Sequence, residues 1–424
     1  MAEGLTLLLF SLFLLFCIAR NVSVVVALFA GLVLFTAYAL YKGFTFREIW
    51  QMMLAGLKET RTVLLVFCLI GMLTALWRAA GTIPYIIYHA VSVVNPRFFV
   101  LFSFLLCALV SFLTGTAFGT VSTAGIICMM TGKALGLSDF YLGGAILSGI
   151  FFGDRCSPMS SSALLVSELT RTDIHRNIKN MMRTSIVPFA LAVIFYAASG
   201  GPAGEMPATV KLSFFAESFN LTPWVLLPAA VILFLTLLRL DIKVTILCSI
   251  AAGLLVGLLC QGMSLRDLLK FMFTGYRSGN AEIAALMDGG GILSMLRTAL
   301  IVAISSSYFG IFRRTKLLDS IKNWSFTLSR YSTDFAAVLA VSVVTAALSC
   351  NQTLATMLAY EITEKMFEDR EKLAVFLENT AIVVSPLIPW SIAAVFPLTT
   401  IGAPKSSIIY AVYLFALPLW NLAV

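Results

Sequence analysis

Residues Gly149–Val166 read GIFFGDRCSPMSSSALLV. An apolar run of membrane-crossing character is interrupted at its middle by Gly153, Asp154, Arg155, Ser157 and Pro158, and then by Ser160, Ser161 and Ser162. Pro158 removes a backbone donor and clashes with the preceding turn, so a regular helix cannot pass through it. Backbone freed in this way is tolerated at membrane depth only where it lines a protein-enclosed or watery cavity. The stretch therefore reads as half of a binding site. The competing reading is an ordinary loop between two short helices, with Asp154 and Arg155 in water. A second interruption weighs against that: Val383–Ser391, VVSPLIPWS, again sets a Ser-Pro pair, Ser385 and Pro386, in an apolar run.

The composition agrees with a membrane setting. Hydrophobic residues make up 60% of the chain and charged residues 12%, and the mean hydropathy is +0.96. These values lie outside the range of soluble domains and indicate a polytopic membrane protein. Residues 4–19, 23–41, 62–79, 184–198, 224–240, 243–260, 295–312 and 407–422 are predicted as apolar helices approaching the ~20 residues a span needs. Their apolar residues run all round, which excludes the alternating pattern of a membrane barrel. The net charge of +8 is spread over short loops, which argues for lipid-bilayer topology and against nucleic-acid binding. The N-terminus carries Glu3 and no basic leader, so the first helix is expected to be retained. The eight cysteines form no C-x-x-C pair and the two histidines lie far apart, so neither disulfides, zinc nor another resident cofactor is expected.

Two stretches, 98–167 and 335–400, are too long and too interrupted for simple helices, and they fall in corresponding places of two related halves. Gly43, Arg47 and Met53 are matched at constant spacing by Gly262, Arg266 and Met272. Further on, Thr114–Thr120 (TGTAFGT) lies over Cys350–Thr356 (CNQTLAT). The matched segments after 43 and 262 are amphipathic and read as interfacial. Four basic residues in 168–183 (Arg171, Arg176, Lys179 and Arg183) and five in 313–330 place those loops in the cytoplasm. The acidic 200–222 then faces out. Tracing back places both termini inside.

The resulting fold class is an all-α polytopic membrane protein of two inverted-topology repeats, 1–199 and 223–424, joined by an external linker, 200–222. Each repeat has about five crossings, one of them broken, plus a re-entrant hairpin. Hairpins are placed at 98–133 and 335–367, broken helices at 141–167 and 374–400. The reverse assignment satisfies the same parity, and the sequence does not choose between them.

Hairpin tips and helix breaks expose unpaired backbone groups and half-helix charges. The candidate ion- or substrate-binding residues are Asp154, Ser157, Ser160, Ser161, Thr114, Thr116, Thr120, Asn351, Gln352, Thr353 and Ser385. Their oxygens suit a hard cation such as Na⁺, with Asp154 and Ser157 as its nearest ligands, and the helix N-termini suit an anionic group. Small hydroxyl residues also serve close helix packing; that explains any one of them better than their clustering at two breaks. An ionisable group at membrane depth is costly and usually functional, which singles out Asp154. Arg155 is the alternative explanation, as a structural counter-ion. Glu361, Glu378 and Asn379 are secondary candidates.

The segment GDRCSPMSSSALLV resembles the G-D-[KR]-x-S-P-x-S-[DE]-T-T-N signature of NhaC-type Na⁺/H⁺ antiporters, within the ion transporter superfamily; SFLTGTAFGTVST (Ser111–Thr123) carries a weaker likeness. Gly153, Asp154, Arg155, Ser157, Pro158 and Ser160 match the signature. Ser161 stands where the family has a carboxylate and Leu164 where it has Asn. The resemblance implies a secondary transporter of the bacterial inner membrane that works by alternating access with Na⁺ or H⁺ as coupling ions; a homodimer is compatible with it. The missing carboxylate at Ser161 keeps a second reading open, a cation-coupled carrier of an amino acid or small carboxylate. A channel or an intramembrane enzyme fits less well, because no Ser-His pair or paired aspartates are present, and no P-loop for ATP.

Overall fold

The computed structural model describes residues 2–20, 22–93, 95–200, 213–238, 240–280, 283–284, 287–315, 317 and 332–424. Among these residues the regular secondary structure is helical, apart from an isolated bridge between Tyr276 and Gly289. Four helices among the described residues are long and apolar enough to cross a membrane, at 60–79, 96–114, 174–198 and 292–312, and a bent pair, Arg370–Leu387 with Ile392–Ile401, meets at 52°. Shorter apolar helices, among them Val25–Tyr41 and Lys243–Leu259, surround them.

The first helices, α1 (Ala2–Ala19) and α2 (Val24–Tyr41), are followed by α3, Phe46–Ala79, an unbroken 34-residue helix. From the sequence, an interfacial amphipathic segment after Gly43 and a separate span at 62–79 are expected. The helix continues instead, because Lys58 and Arg61 lie on an exposed face while Met52, Gly56 and Thr60 are buried. Its start is fixed by a capping box between Thr45 and Glu48. After α4 (Thr82–Val93) comes the region that positions the site.

Helix α5 (Phe99–Thr114) ends at Gly115, whose φ of 66° reverses the chain. Thr116 then starts α6 (Ala117–Thr120), which runs through a π-helical turn, Val121–Gly125, into α7 (Ile126–Ala134). Helix α8 (Asp139–Cys156) lies parallel to α5: Gly149 abuts Phe104 and Cys107, Gly153 abuts Ser111 and Phe112, and the Ser111 hydroxyl donates to the Ile150 carbonyl at 2.6 Å. It is antiparallel to α7, with Gly132 against Leu142 and Gly125 against Ile146. The tip at Gly115 thus sits on Met159, inside the interruption between α8 and α9 (Ser161–Thr170). Helix α10 is Ile174–Ala198, capped by Asp173; it begins ten residues before the predicted span because Arg176, Lys179 and Asn180 lie along a polar helical face rather than in a loop.

The next elements are α11 (Ser213–Ser218), α12 (Leu227–Leu237), α13 (Ile242–Leu259), α14 (Leu265–Thr274) and α15 (Ile292–Thr315). Helices α3 and α15 pack backbone to backbone in antiparallel sense, Gly56 against Ser306 and Gly71 against Gly291, the close approach that small residues permit in membranes. The second interrupted region repeats the local plan of the first. Helix α16 (Asp334–Ser349) ends at Cys350, φ 55°, and α17 (Gln352–Thr363) turns back from Asn351. Helix α18 (Arg370–Asn379), a single turn α19 (Ala381–Val384) and a 3₁₀ turn, Ser385–Leu387, lead to α20 (Ile392–Ile401) and finally α21 (Val412–Ala423). The Cys350 carbonyl accepts the Ile392 N–H at 2.8 Å, so this tip also rests on a break. Both large apolar cores draw residues from either side of 200–222.

Candidate functional site

Four helix N-termini meet at one cavity of 300 Å³. Its walls include Thr116, Ala117 and Phe118 at the start of α6, Ser161 at the start of α9, Asn351, Gln352 and Thr353 at the start of α17, and Ile392 and Ala393 at the start of α20. Each start is fixed by a capping side chain: Thr116 accepts from the Gly119 N–H, Ser160 from Ser162, Asn351 from Thr353, and Ser391 from Ala393. Each N-terminus contributes about half a positive elementary charge through its unpaired N–H groups. The cavity is therefore electropositive from its backbone alone.

Against that field stands one carboxylate. Asp154, on the last turn of α8, lines the cavity and is 5% exposed. Its Oδ1 accepts from the Ser160 hydroxyl at 3.1 Å and its Oδ2 from the Ser162 hydroxyl at 3.0 Å. The two hydroxyls are themselves 2.7 Å apart. One carboxylate and two hydroxyls form an oxygen set for a hard cation such as Na⁺, or for a proton.

Arg155 does not neutralise Asp154. Its guanidinium, fully buried, turns to α10, α18 and α21, donating to the Ser185 and Tyr413 hydroxyls, the Thr184 hydroxyl, the Met181 and Glu378 carbonyls and the Asn379 side-chain oxygen. All of these acceptors are neutral. Arg155 therefore pins the end of α8 to three other helices.

Thr116, Asp154, Ser161, Asn351, Gln352 and Thr353 of the sequence candidates share the cavity wall. Ser160 acts behind it, on Asp154. Thr114 lines a neighbouring cavity of 440 Å³, which shares Thr116 and Ser161 with the first and extends to Asp241 and Thr245. The remaining candidates sit elsewhere. The Thr120 hydroxyl donates to the Thr116 carbonyl at 2.8 Å, Ser157 accepts the Met159 N–H at 3.2 Å, and Ser385 donates to the Ala381 carbonyl at 2.7 Å. Glu361 is exposed on α17, and Asn379 is held between Arg155 and Asn421. Thr62 and Val66 of α3 were not anticipated on the wall; they lie in a regular helix, where no interruption marks them.

The family profile described as the Na⁺/H⁺ antiporter family matches residues 149–421, from the first break to the last helix. The chain belongs to the Na⁺/H⁺ antiporter family. This antiporter-family chain is 26% identical to the Na⁺/H⁺ antiporter NhaC of Alkalihalophilus pseudofirmus, over 86% of its own length and 82% of that protein. It is 24% identical to the malate-2H⁺/Na⁺-lactate antiporter of Bacillus subtilis, over 92% and 86%. It is 26% identical to the arginine/ornithine antiporter ArcD of Halobacterium salinarum, over 88% and 79%. An NhaC-type antiporter is a multi-pass membrane protein whose cargo includes small ions, and the apolar helices of this chain agree with that setting.

Proposed function

We propose that the chain is an alternating-access antiporter in which Asp154 binds Na⁺ and H⁺ in turn. The observation that carries this reading is the carboxylate itself: it faces a cavity, accepts from the Ser160 and Ser162 hydroxyls, and leaves its neighbouring arginine to other partners. A bare carboxylate in a low-dielectric setting is costly, so either cation is bound as the other leaves. In this reading 1–199 and 223–424 are inverted repeats joined by 200–222, the V-shaped pairs about Gly115 and Cys350 are re-entrant hairpins, and rocking of the halves exposes the cavity to each side in turn. The protein works as a carrier rather than an enzyme, without a cofactor, in the inner membrane with both termini in the cytoplasm. Single cysteines at Asn180 and at Gly204, which lies outside the described residues, are then expected to label from opposite faces of intact cells. In liposomes, Na⁺-driven proton movement is expected from the wild type and not from Asp154→Asn. Exchange by that variant with unchanged Na⁺ and pH dependence sinks the assignment.

A specific observation favours a second cargo. Four converging helix N-termini and 300 Å³ exceed what one Na⁺ requires, and they suit a carboxylate of an amino acid or small organic acid bound beside the ion. Thermal stabilisation by such a solute only when Na⁺ is present supports this; stabilisation by Na⁺ alone, with no solute effect, leaves simple ion exchange.

A further inference from the structure

The geometry assigns Glu378 as a second proton-carrying carboxyl group of the transport cycle, distinct from the site at Asp154. Glu378 lies on the last turn of α18 and is 1% exposed. Among the described residues neither of its carboxyl oxygens has a hydrogen-bond partner. A charged carboxylate buried without a single donor is among the costliest groups a protein can hold, whereas the protonated acid carries no net charge to desolvate. Its backbone carbonyl accepts the Arg155 Nε–H at 3.2 Å, so the guanidinium lies close by, yet the side chains form no ion pair. The charged groups that bear on it are Arg155 and Asp154, both from α8. From α21 Tyr413, and from α8 Cys156, hydrogen-bond the same guanidinium.

This arrangement leaves a fully buried arginine with neutral acceptors only, and a fully buried acid beside it with none. The two describe one half of a switch. In the state seen, Glu378 holds a proton and Arg155 is dispersed over carbonyls and hydroxyls. In the other state Glu378 has released its proton to water reaching the cavity, and its carboxylate takes Arg155 as counter-ion, which requires only that the ends of α18 and α8 shift relative to one another. One proton leaves Asp154 as Na⁺ binds there, a second leaves Glu378, and the reverse uptake occurs on the other side. Two protons exchange for one Na⁺, and one positive charge crosses the membrane per cycle.

The inference rests on the reading of Asp154 as the exchange carboxylate. It is tested in proteoliposomes by finding the Na⁺ gradient that just cancels proton flux at zero voltage. For the wild type a pH difference of one unit is expected to balance a Na⁺ ratio of about a hundredfold, and for Glu378→Gln about tenfold, with exchange still abolished by Asp154→Asn. A tenfold balance in the wild type, or an unchanged balance in Glu378→Gln, overturns the assignment of Glu378 while leaving Asp154 in place. Exchange surviving in Asp154→Asn overturns the earlier reading instead. Should Glu378→Gln fail to insert, the infrared spectrum of Asp154→Asn at neutral pH decides. Exposed carboxyls are ionised there, so a carboxylic-acid C=O band that is lost on raising the pH is expected from Glu378, and its absence counts against the proposal.

Discussion

Asp154 and Arg155 are consecutive residues on the last turn of α8, yet one faces the cavity and the other faces away from it, into the packing of α10, α18 and α21. The pair is divided between cargo and scaffold. Arg155→Met is expected to lower the stability of the detergent-solubilised protein by ~3 kcal/mol or more, since several buried acceptors lose their donor at once. The variant's folded fraction is expected to keep its Na⁺ affinity, because Asp154 is held by Ser160 and Ser162 and not by Arg155. A melting curve and a Na⁺ titration on the same preparation separate the two effects, and a stable variant with altered ion affinity contradicts the division.

The two reversals about Gly115 and Cys350 share left-handed backbone but not residue type. Gly115→Ala is expected to destabilise by about 1–3 kcal/mol, because its methyl would lie 2.5 Å from the Met159 carbonyl carbon in a conformation L-residues avoid. Cys350→Gly relieves that same conformational cost and is expected to be neutral or stabilising by up to about 1 kcal/mol. Thermal unfolding of both variants checks the sign of each.

Ser161→Asp restores the acid of the family signature at a position that lines both cavities. Under the carboxylate-cargo reading it places like charge beside the docked solute, and affinity is expected to fall at least tenfold. Na⁺ affinity is expected to rise. Calorimetric titration with Na⁺ and with the stabilising solute measures both; an unchanged solute affinity removes Ser161 from the cargo site.

Thr116 and Gln352 line the same wall from the two reversals. Cysteines at both positions of a cysteine-free variant are expected to be joined by a short bifunctional thiol reagent, with transport stopped and then restored by cleaving a reducible version. Failure to cross-link in every ionic condition is incompatible with a shared cavity.

The interruptions were legible because Gly, Ser, Pro and Asn stand out inside apolar runs, and Asp154, Thr116 and Asn351–Thr353 follow from them. Ile392 and Ala393 were not, since they serve through backbone N–H groups that any residue supplies. Nor was the register of the second reversal. Aligning residue types set Gly115 over Asn351, whereas the left-handed residue is Cys350, one position earlier; no glycine marks it. The extents of α3 and α10 were misjudged for a different reason, because polar residues on one exposed helical face look like a loop when read along a line.

The convergence of four helix starts has an evolutionary consequence. The attraction they exert belongs to the main chain, so it survives any substitution that preserves the helices. Ser161, Gln352 and Thr353 project from those starts without capping them, so they can change in size and charge without dismantling the field behind them. A lineage can thus re-tailor the lining for a bare ion, an organic acid or a basic amino acid while inheriting the same electrostatic frame, and the named cargoes of its relatives span that range.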